Sequence, residues 1–223
     1  MAAETETQTE HVAGTRESLL DAAESLFSEH GIQASSLRMI TQRAGANLAA
    51  VHYHFGSKEG LVRAVFSRRL KPLNEERLRL LDACDLDAED GVEQVLRAFL
   101  EPLLRMSRER ARDFGRLMGR AFTEPSEELR TMLMEEFSET VRRFMAAFAR
   151  LLPHLGEREL MWRYHFVAGA MAHTVGCSYL LEKYSGGACG GASNPDEALG
   201  HLVTFLAAGM RAPARTGPVS PGE

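Results

Sequence analysis

Ser36-Leu-Arg-Met-Ile-Thr-Gln-Arg-Ala-Gly-Ala-Asn-Leu-Ala-Ala-Val-His-Tyr-His-Phe55 is the stretch on which the reading of this 223-residue chain turns. Apolar residues recur at helical spacing on both sides of Gly45, with Ile40 and Ala44 before it and Val51 and Phe55 after it. A glycine at that point supplies the left-handed backbone of a tight turn joining two short helices. Ser35 or Ser36 caps the first helix and Asn47 the second, because a side-chain oxygen there accepts an otherwise orphaned N–H of the first turn.

Outward from this pair the pattern stays helical. Leu19, Leu20, Ala23, Leu26 and Phe27 form one face of a preceding helix that Gly31 ends. Ser57 precedes a fourth helix with Leu61, Val62, Val65, Phe66 and Leu70 inside. Beyond Pro72, periodicity predicts helices over 73–82, 89–108, 110–122, 126–152, 157–183 and 195–211, with Asp87 capping the second of these and Pro125-Ser126 opening the fourth. No alternating β-branched run is present, so the fold class is all-α. Segment 185–194 is Gly-, Ala- and Ser-rich and reads as a flexible loop. The expected organisation is a disordered arm over 1–14, a three-helix helix-turn-helix domain over 15–71, a larger helical domain over 72–211 and a disordered tail over 212–223.

Charge distribution says more than its sum. The net charge is −5, yet residues 31–71 carry Arg38, Arg43, Lys58, Arg63, Arg68, Arg69 and Lys71 against Glu59 alone, a local charge of +6. A polyanion meets that local field rather than the total. The first turn of the second short helix, Asn47-Leu48-Ala49-Ala50, is small enough to enter a major groove, and His52, Tyr53 and His54 follow where phosphates would lie. Lys58 opens the next helix, whose free N–H groups favour an anion. Taken singly, Tyr53 reads equally as a half-buried packing residue, and Arg68, Arg69 and Lys71 read as a solvated face. His52 and His54, two apart on a helix, diverge in direction and do not share a metal ion.

Val51-His-Tyr-His-Phe-Gly-Ser-Lys-Glu-Gly-Leu61 resembles the signature of the TetR family of one-component repressors, over residues 15–70 as a whole. The stretches Asn47 to Lys58, Phe114-Gly-Arg-Leu-Met-Gly-Arg-Ala-Phe122, Leu160-Met-Trp-Arg-Tyr-His-Phe-Val-Ala-Gly-Ala170 and Phe205-Leu-Ala-Ala-Gly-Met-Arg211 are similar to its PsrA-type, fatty-acid-responsive branch. The resemblance implies that Ser36, Tyr53, His54 and Lys58 contact phosphates. It implies that Leu48, Ala49, Ala50 and His52 face base edges, with Arg38, Thr41 and Asn47 nearby; His52 departs from the commoner aromatic. It further implies a homodimer on a palindromic operator in double-stranded DNA, and a small apolar effector, a long-chain fatty acid or acyl-CoA.

The larger domain carries small residues at close spacing, Ala168, Gly169, Ala170, Ala172 and Gly176, then Ala207, Ala208 and Gly209. These suit intramolecular packing or a dimer formed by 157–183 and 195–211. Its Phe and Met residues are mostly core, with a cavity between helices as the functional alternative. Met106, Phe114, Met118, Phe122, Trp162 and Phe166 are the candidate lining, and Arg116, Arg120 or His165 would hold a head group. His173 and Cys177 lie four apart, but with no third ligand they read as a core histidine beside a buried thiol, so no metal or other cofactor is expected.

Three unpaired-looking cysteines argue for a reducing compartment, and the N-terminal stretch has no basic and apolar pattern of a secretory signal. A cytoplasmic location without a membrane segment is expected. No Gly-rich phosphate loop, nucleophile elbow, His-Glu-x-x-His or Cys-x-x-Cys is present, so catalysis is not expected. The alternatives are a helical dimeric adaptor that binds no DNA, or a regulator answering to a drug or an aromatic compound.

Overall fold

The computed structural model describes residues 2–106, 115–119, 121, 126–189 and 194–214, with the side chains of 2–13, 178 and 179 left aside. Among these residues the chain forms helices and no strand. In chain order they are α1 (Ala2–His30), α2 (Leu37–Ala44), α3 (Leu48–Phe55), α4 (Lys58–Asp82), α5 (Gly91–Leu104), α6 (Glu127–Leu151), α7 (Glu157–Tyr184) and α8 (Pro195–Arg211), with a further helical stretch at 115–119.

The chain divides into two compact units, Met1–Pro72 with Arg112–Glu136, and Leu73–Ala111 with Phe137–Glu223. The division between Pro72 and Leu73 lies next to the boundary expected at 71, while the segment around the start of α6, expected in the larger domain over 72–211, belongs with the first unit. The arm expected to be disordered over 1–14 is also different: backbone helix begins at Ala2. Ala2, Ala3 and the Glu residues that follow are good helix formers, and no proline interrupts them.

In the first unit α1, α2 and α3 pack on one another. Leu19, Leu20, Phe27, Ile40, Val51, Leu61, Val65, Phe66 and Leu70, all on the faces read from periodicity, are completely buried, whereas Leu37, Ala44 and Phe55, read as inward too, are only half-buried. Each completely buried side chain contributes about 1.5–3 kcal/mol of burial. α4 runs through Pro72, where a helix boundary was expected; the proline is internal to a 25-residue helix. A proline without an N–H is tolerated there because apolar residues on both sides, Leu70 and Leu73, are held in a core.

In the second unit α5 packs against α8 and α7, and α7 against α8. Phe99 lies at the centre, with Phe144 and Tyr164 at ring-centre distances of 5.2 and 5.3 Å. α5 begins at Gly91 after Asp90, not after Asp87, and the Asp90 side chain makes no capping bond. Ser126 does open α6: its Oγ accepts from the Leu129 N–H at 3.2 Å. His173 is exposed, so it is not the core histidine that the sequence suggested.

The C-terminal end of α8 is held by Arg211, which pairs with Glu93, and by a buried side chain of α7. Arg163 of α7 is buried and donates to the carbonyl oxygens of Gly209, Met210, Ala212 and Pro213 at 2.7–3.0 Å, and pairs with Glu159 at 2.8 Å. These are the carbonyls that a helix end leaves without an intrahelical donor. Arg163→Met is expected to lower stability by roughly 3 kcal/mol, the scale of charge-assisted bonds lost to buried acceptors. Urea unfolding checks this, and an unchanged midpoint would contradict it.

Candidate nucleic-acid interface

The surface is built by two eight-residue helices whose ends are chemically fixed. Ser36, in extended backbone, accepts the Met39 N–H on its Oγ at 3.2 Å and so starts α2. Gly45 ends it with φ 63°, and the Ala46 N–H returns to the Thr41 carbonyl at 2.9 Å. Asn47 then caps α3, its Oδ1 accepting the Ala50 N–H at 2.9 Å. At the other end Gly56 donates its N–H to the His52 carbonyl at 3.0 Å.

α3 buries Val51 and turns its other face outward. Tyr53 is 78 % exposed, and Leu48, Ala49 and His52 are also exposed. Leu48 is an aliphatic side chain left half in water, an arrangement that burial energetics alone would not choose. The His52 Nδ1 stands 3.0 Å from the Gly56 carbonyl oxygen. A carbonyl only accepts, so this nitrogen carries a proton and donates, which leaves Nε2 pointing away from the Gly56 carbonyl. His54 is half-buried, edge-on to Tyr53 at 5.0 Å.

α4 starts close behind. Ser57 Oγ accepts the Gly60 N–H at 3.1 Å, and the half-buried Lys58 reaches the Gln33 carbonyl at 3.3 Å. Gly60 stands so near α3 that a Cβ added to it would lie 2.0 Å from the Phe55 carbonyl oxygen. A cleft of about 510 Å³ opens beside this helix start, lined among others by Ile32, Lys58, Arg63, Glu128 and Met132.

Much of the positive charge of residues 31–71 is paired with carboxylates. Arg43 makes two bonds to the Glu29 carboxylate, at 2.8 and 3.2 Å, and Arg63 pairs with Glu135 at 2.8 Å. Arg68 pairs with Glu17, Asp21 and Glu24 of α1, and Arg69 with Glu24. Arg68 and Arg69 are thus a partly buried network rather than the solvated face expected for them. Arg38 is exposed, and Lys58 acts electrostatically on the neighbouring Glu59. The Arg43 and Ser25 bonds hold the Glu29 carboxyl down, from its ordinary 4.5 to about 2. A depressed folded-state value contributes stability above about 4.5 that is lost as pH falls towards 2. Glu29→Gln is expected to flatten the acid limb of the stability–pH curve in that window, as followed by circular dichroism.

The family model described as "Bacterial regulatory proteins, tetR family" matches residues 19–65. That described as "Tetracyclin repressor-like, C-terminal domain" matches residues 97–209, just over half of the chain. The chain belongs to the TetR family. Among curated relatives in the family, the repressor AcnR of Corynebacterium glutamicum is 29% identical over 87 residues, 39% of this chain and 41% of that protein. KstR2 of Rhodococcus jostii is 35% identical over 91 residues, 41% of this chain and 44% of that protein. The matched stretch thus spans about two fifths of the length of these relatives. The solved complex of SmeT with triclosan has a TM-score of 0.61 at 20% identity, covering 93% of this chain and 99% of that one. A TetR-family regulator from Marinobacter aquaeolei has a TM-score of 0.62 at 17% identity, with 88% and 97% covered; likeness at this identity concerns the fold.

Within this TetR-family frame, Ser36, Arg38, Asn47, Leu48, Ala49, His52 and Tyr53 are exposed, and Ala50, His54 and Lys58 are intermediate. Thr41 is the exception. It is buried, and its hydroxyl donates to the Arg38 carbonyl at 3.1 Å, because residue 41 shares the inward face of α2 with Ile40. It is withdrawn as a DNA-facing residue.

The expected ligand-contacting residues fare less uniformly. Met118 is buried, Met106 half-buried and Arg116 exposed, while Phe114, Arg120 and Phe122 lie outside the described residues. Trp162, His165 and Phe166 are exposed and form an outward aromatic cluster, with ring centres 5.8–6.2 Å apart. Their spacing of three and four puts them on the face of α7 opposite Tyr164, Val167 and Met171, so they are corrected from cavity lining to surface. Sequence reasoning missed Arg163 and Arg77, which look like any helical arginine until their surroundings are known. Among the described residues no group of three or more His, Cys, Asp or Glu is placed to hold a metal ion, and no helix is long and apolar enough to cross a membrane.

Proposed function

We propose that this chain is a transcriptional repressor that binds a palindromic operator in double-stranded DNA as a homodimer and is released by a small apolar effector. The observation that carries this reading is the outward presentation of Leu48, Ala49, His52 and Tyr53 by a helix with both ends locked. α3 enters the major groove with its small first turn against base edges, while Ser36, Tyr53, His54 and Lys58 engage phosphates and set the register. Arg38 and Asn47 flank the groove. His52, with Nδ1 engaged by the Gly56 carbonyl, directs Nε2 at a base edge.

Dimer formation is supported by the outer faces of α7 and α8. These expose Trp162, Phe166 and Phe205 beside small residues such as Gly169, Ala172, Gly176, Ala208 and Gly209, a surface on which two helices of a second copy pack closely. Twofold symmetry then spaces two copies of α3 for two half-sites. The finer reading of the effector, a long-chain fatty acid or acyl-CoA, rests on the resemblance of the stretches at 114–122, 160–170 and 205–211 to the PsrA-type branch. A drug or aromatic effector has its own support in the SmeT–triclosan complex, which shares the fold. In either case an effector that favours a state with misplaced α3 helices, by a coupling of ~1–3 kcal/mol, lowers operator affinity roughly 5- to 150-fold. α4, which begins beside α3 at Lys58, is the lever.

Filter binding on genomic fragments tests the reading. Specific retention that falls with rising salt, and falls again when a selected site is cut to one half-site, is the expected result. Retention no greater than for random DNA at every salt concentration would leave the adaptor reading in its place.

A further inference from the structure

Arg77 lies in the part of α4 that belongs to the second unit and is 2 % exposed. Its Nε donates to the Phe99 carbonyl at 2.9 Å, and the guanidinium carbon sits 4.3 Å from the centre of the Phe99 ring. Beyond that its company is poor. Nη1 reaches Asn74 Oδ1 only at 3.4 Å, and Nη2 faces the Met171 sulfur, a weak acceptor, at 3.3 Å. The rings of Phe144 and Tyr164 both stand against Phe99.

Among the described residues no carboxylate pairs with this buried cation. Arg163 and Arg68, other well-covered arginines among the described residues, are both paired with carboxylates. Burial pulls Arg77 down to about 10 and pushes the Tyr164 phenol up to about 12, so near neutral pH the guanidinium is charged and its tyrosine neighbour supplies no anion. Anchoring the Phe99 carbonyl needs one donor, whereas a guanidinium carries five N–H groups and a charge that is costly to bury alone. Two of those groups, on the η nitrogens, form the fork that matches a carboxylate.

We infer that the second unit binds a small molecule with an anionic head, in the simplest case a carboxylate, using Arg77 as the counter-charge and Phe99, Tyr164 and Met171 against the adjoining apolar part. This rests on the effector reading given above and deepens it, with Arg77 in the role expected of Arg116, Arg120 or His165. Cation and anion offset each other's desolvation once paired, which neither the carbonyl nor the thioether does.

The test uses the full-length chain, with decanoate and decanol, and benzoate and benzyl alcohol, as matched charged and neutral probes in calorimetry and thermal melting. The wild type is expected to bind a carboxylate at least about tenfold tighter than its alcohol. Arg77→Met should weaken the carboxylate roughly 10- to 100-fold, the range of a charged hydrogen-bonded contact, and leave the alcohol unchanged. Arg77→Lys should recover part of the preference. If Arg77→Met does not melt cooperatively, the wild-type ratio and Arg77→Lys decide. Equal binding of carboxylate and alcohol by the wild type, or a preference that survives Arg77→Met, overturns the inference and leaves an apolar effector standing. Binding of none of the four probes by the wild type overturns both.

Discussion

Tyr53→Ala is expected to weaken the dimer's hold on every DNA sequence by roughly 10²- to 10⁴-fold. The estimate follows from one charge-assisted bond to a phosphate, ~1.5–3 kcal/mol, lost once in each protomer. Because the side chain is 78 % exposed, the unfolding midpoint should stay where it is. Tyr53→Phe should reproduce most of the loss, since the ring remains and only the donor goes. His52→Ala, by contrast, should reorder operators: each base contact is worth ~1–3 kcal/mol of discrimination, felt only where the paired base is present. Filter binding of both variants on one panel of operators separates the two roles. Uniform loss for both variants on all sequences would refute the division between positioning and reading.

Gly60→Ala carries the largest expected effect on folding. The new methyl would sit 2.0 Å from the Phe55 carbonyl oxygen, and that atom is backbone, unable to swing aside. Either α3 and the start of α4 move apart or the last turn of α3 is lost, at a cost of about 3 kcal/mol or more. Gly45→Ala is the instructive comparison. Its φ of 63° strains an L-residue, but the space beside it is open, and the cost of a single left-handed alanine is about 1–2 kcal/mol. The turn glycine is the one that a sequence reader notices; the helical one is expected to matter more. Denaturant melts of both variants give the order directly, and Gly45→Ala proving the more damaging would count against the packing argument.

The contrast marks what sequence could and could not tell. Features decided by neighbours three or four residues away were legible: the caps at Ser36, Asn47 and Ser126, the ends at Gly31 and Gly45, and the buried faces of α1, α3 and α4. Long helices at 157–184 and 195–211 fell within a residue of expectation. Features decided by distant partners were not. Counting charges over 31–71 gave a cationic segment, but Arg43 is matched by Glu29, Arg63 by Glu135, and Arg68 and Arg69 by acids of α1, so much of that field is cancelled at home. The family resemblance places Thr41 near the base edges, yet it is buried and its hydroxyl donates to the Arg38 carbonyl. The aromatic run Trp162-Arg-Tyr-His-Phe166 was read by composition. Its two faces, one in the core and one outside, follow only from which side α8 and α5 cover.

Pro72 leaves a missing rung in α4. With no N–H at that position, the Arg68 carbonyl lacks the donor that residue 72 would otherwise give it, and the rigid ring crowds the turn behind. A rod with one rung removed yields at that joint first. Torque along α4 is therefore expected to bend the helix between Arg68 and Leu73 before it bends elsewhere, and amides bracketing this joint should exchange faster than equally buried amides in the rest of the helix interior.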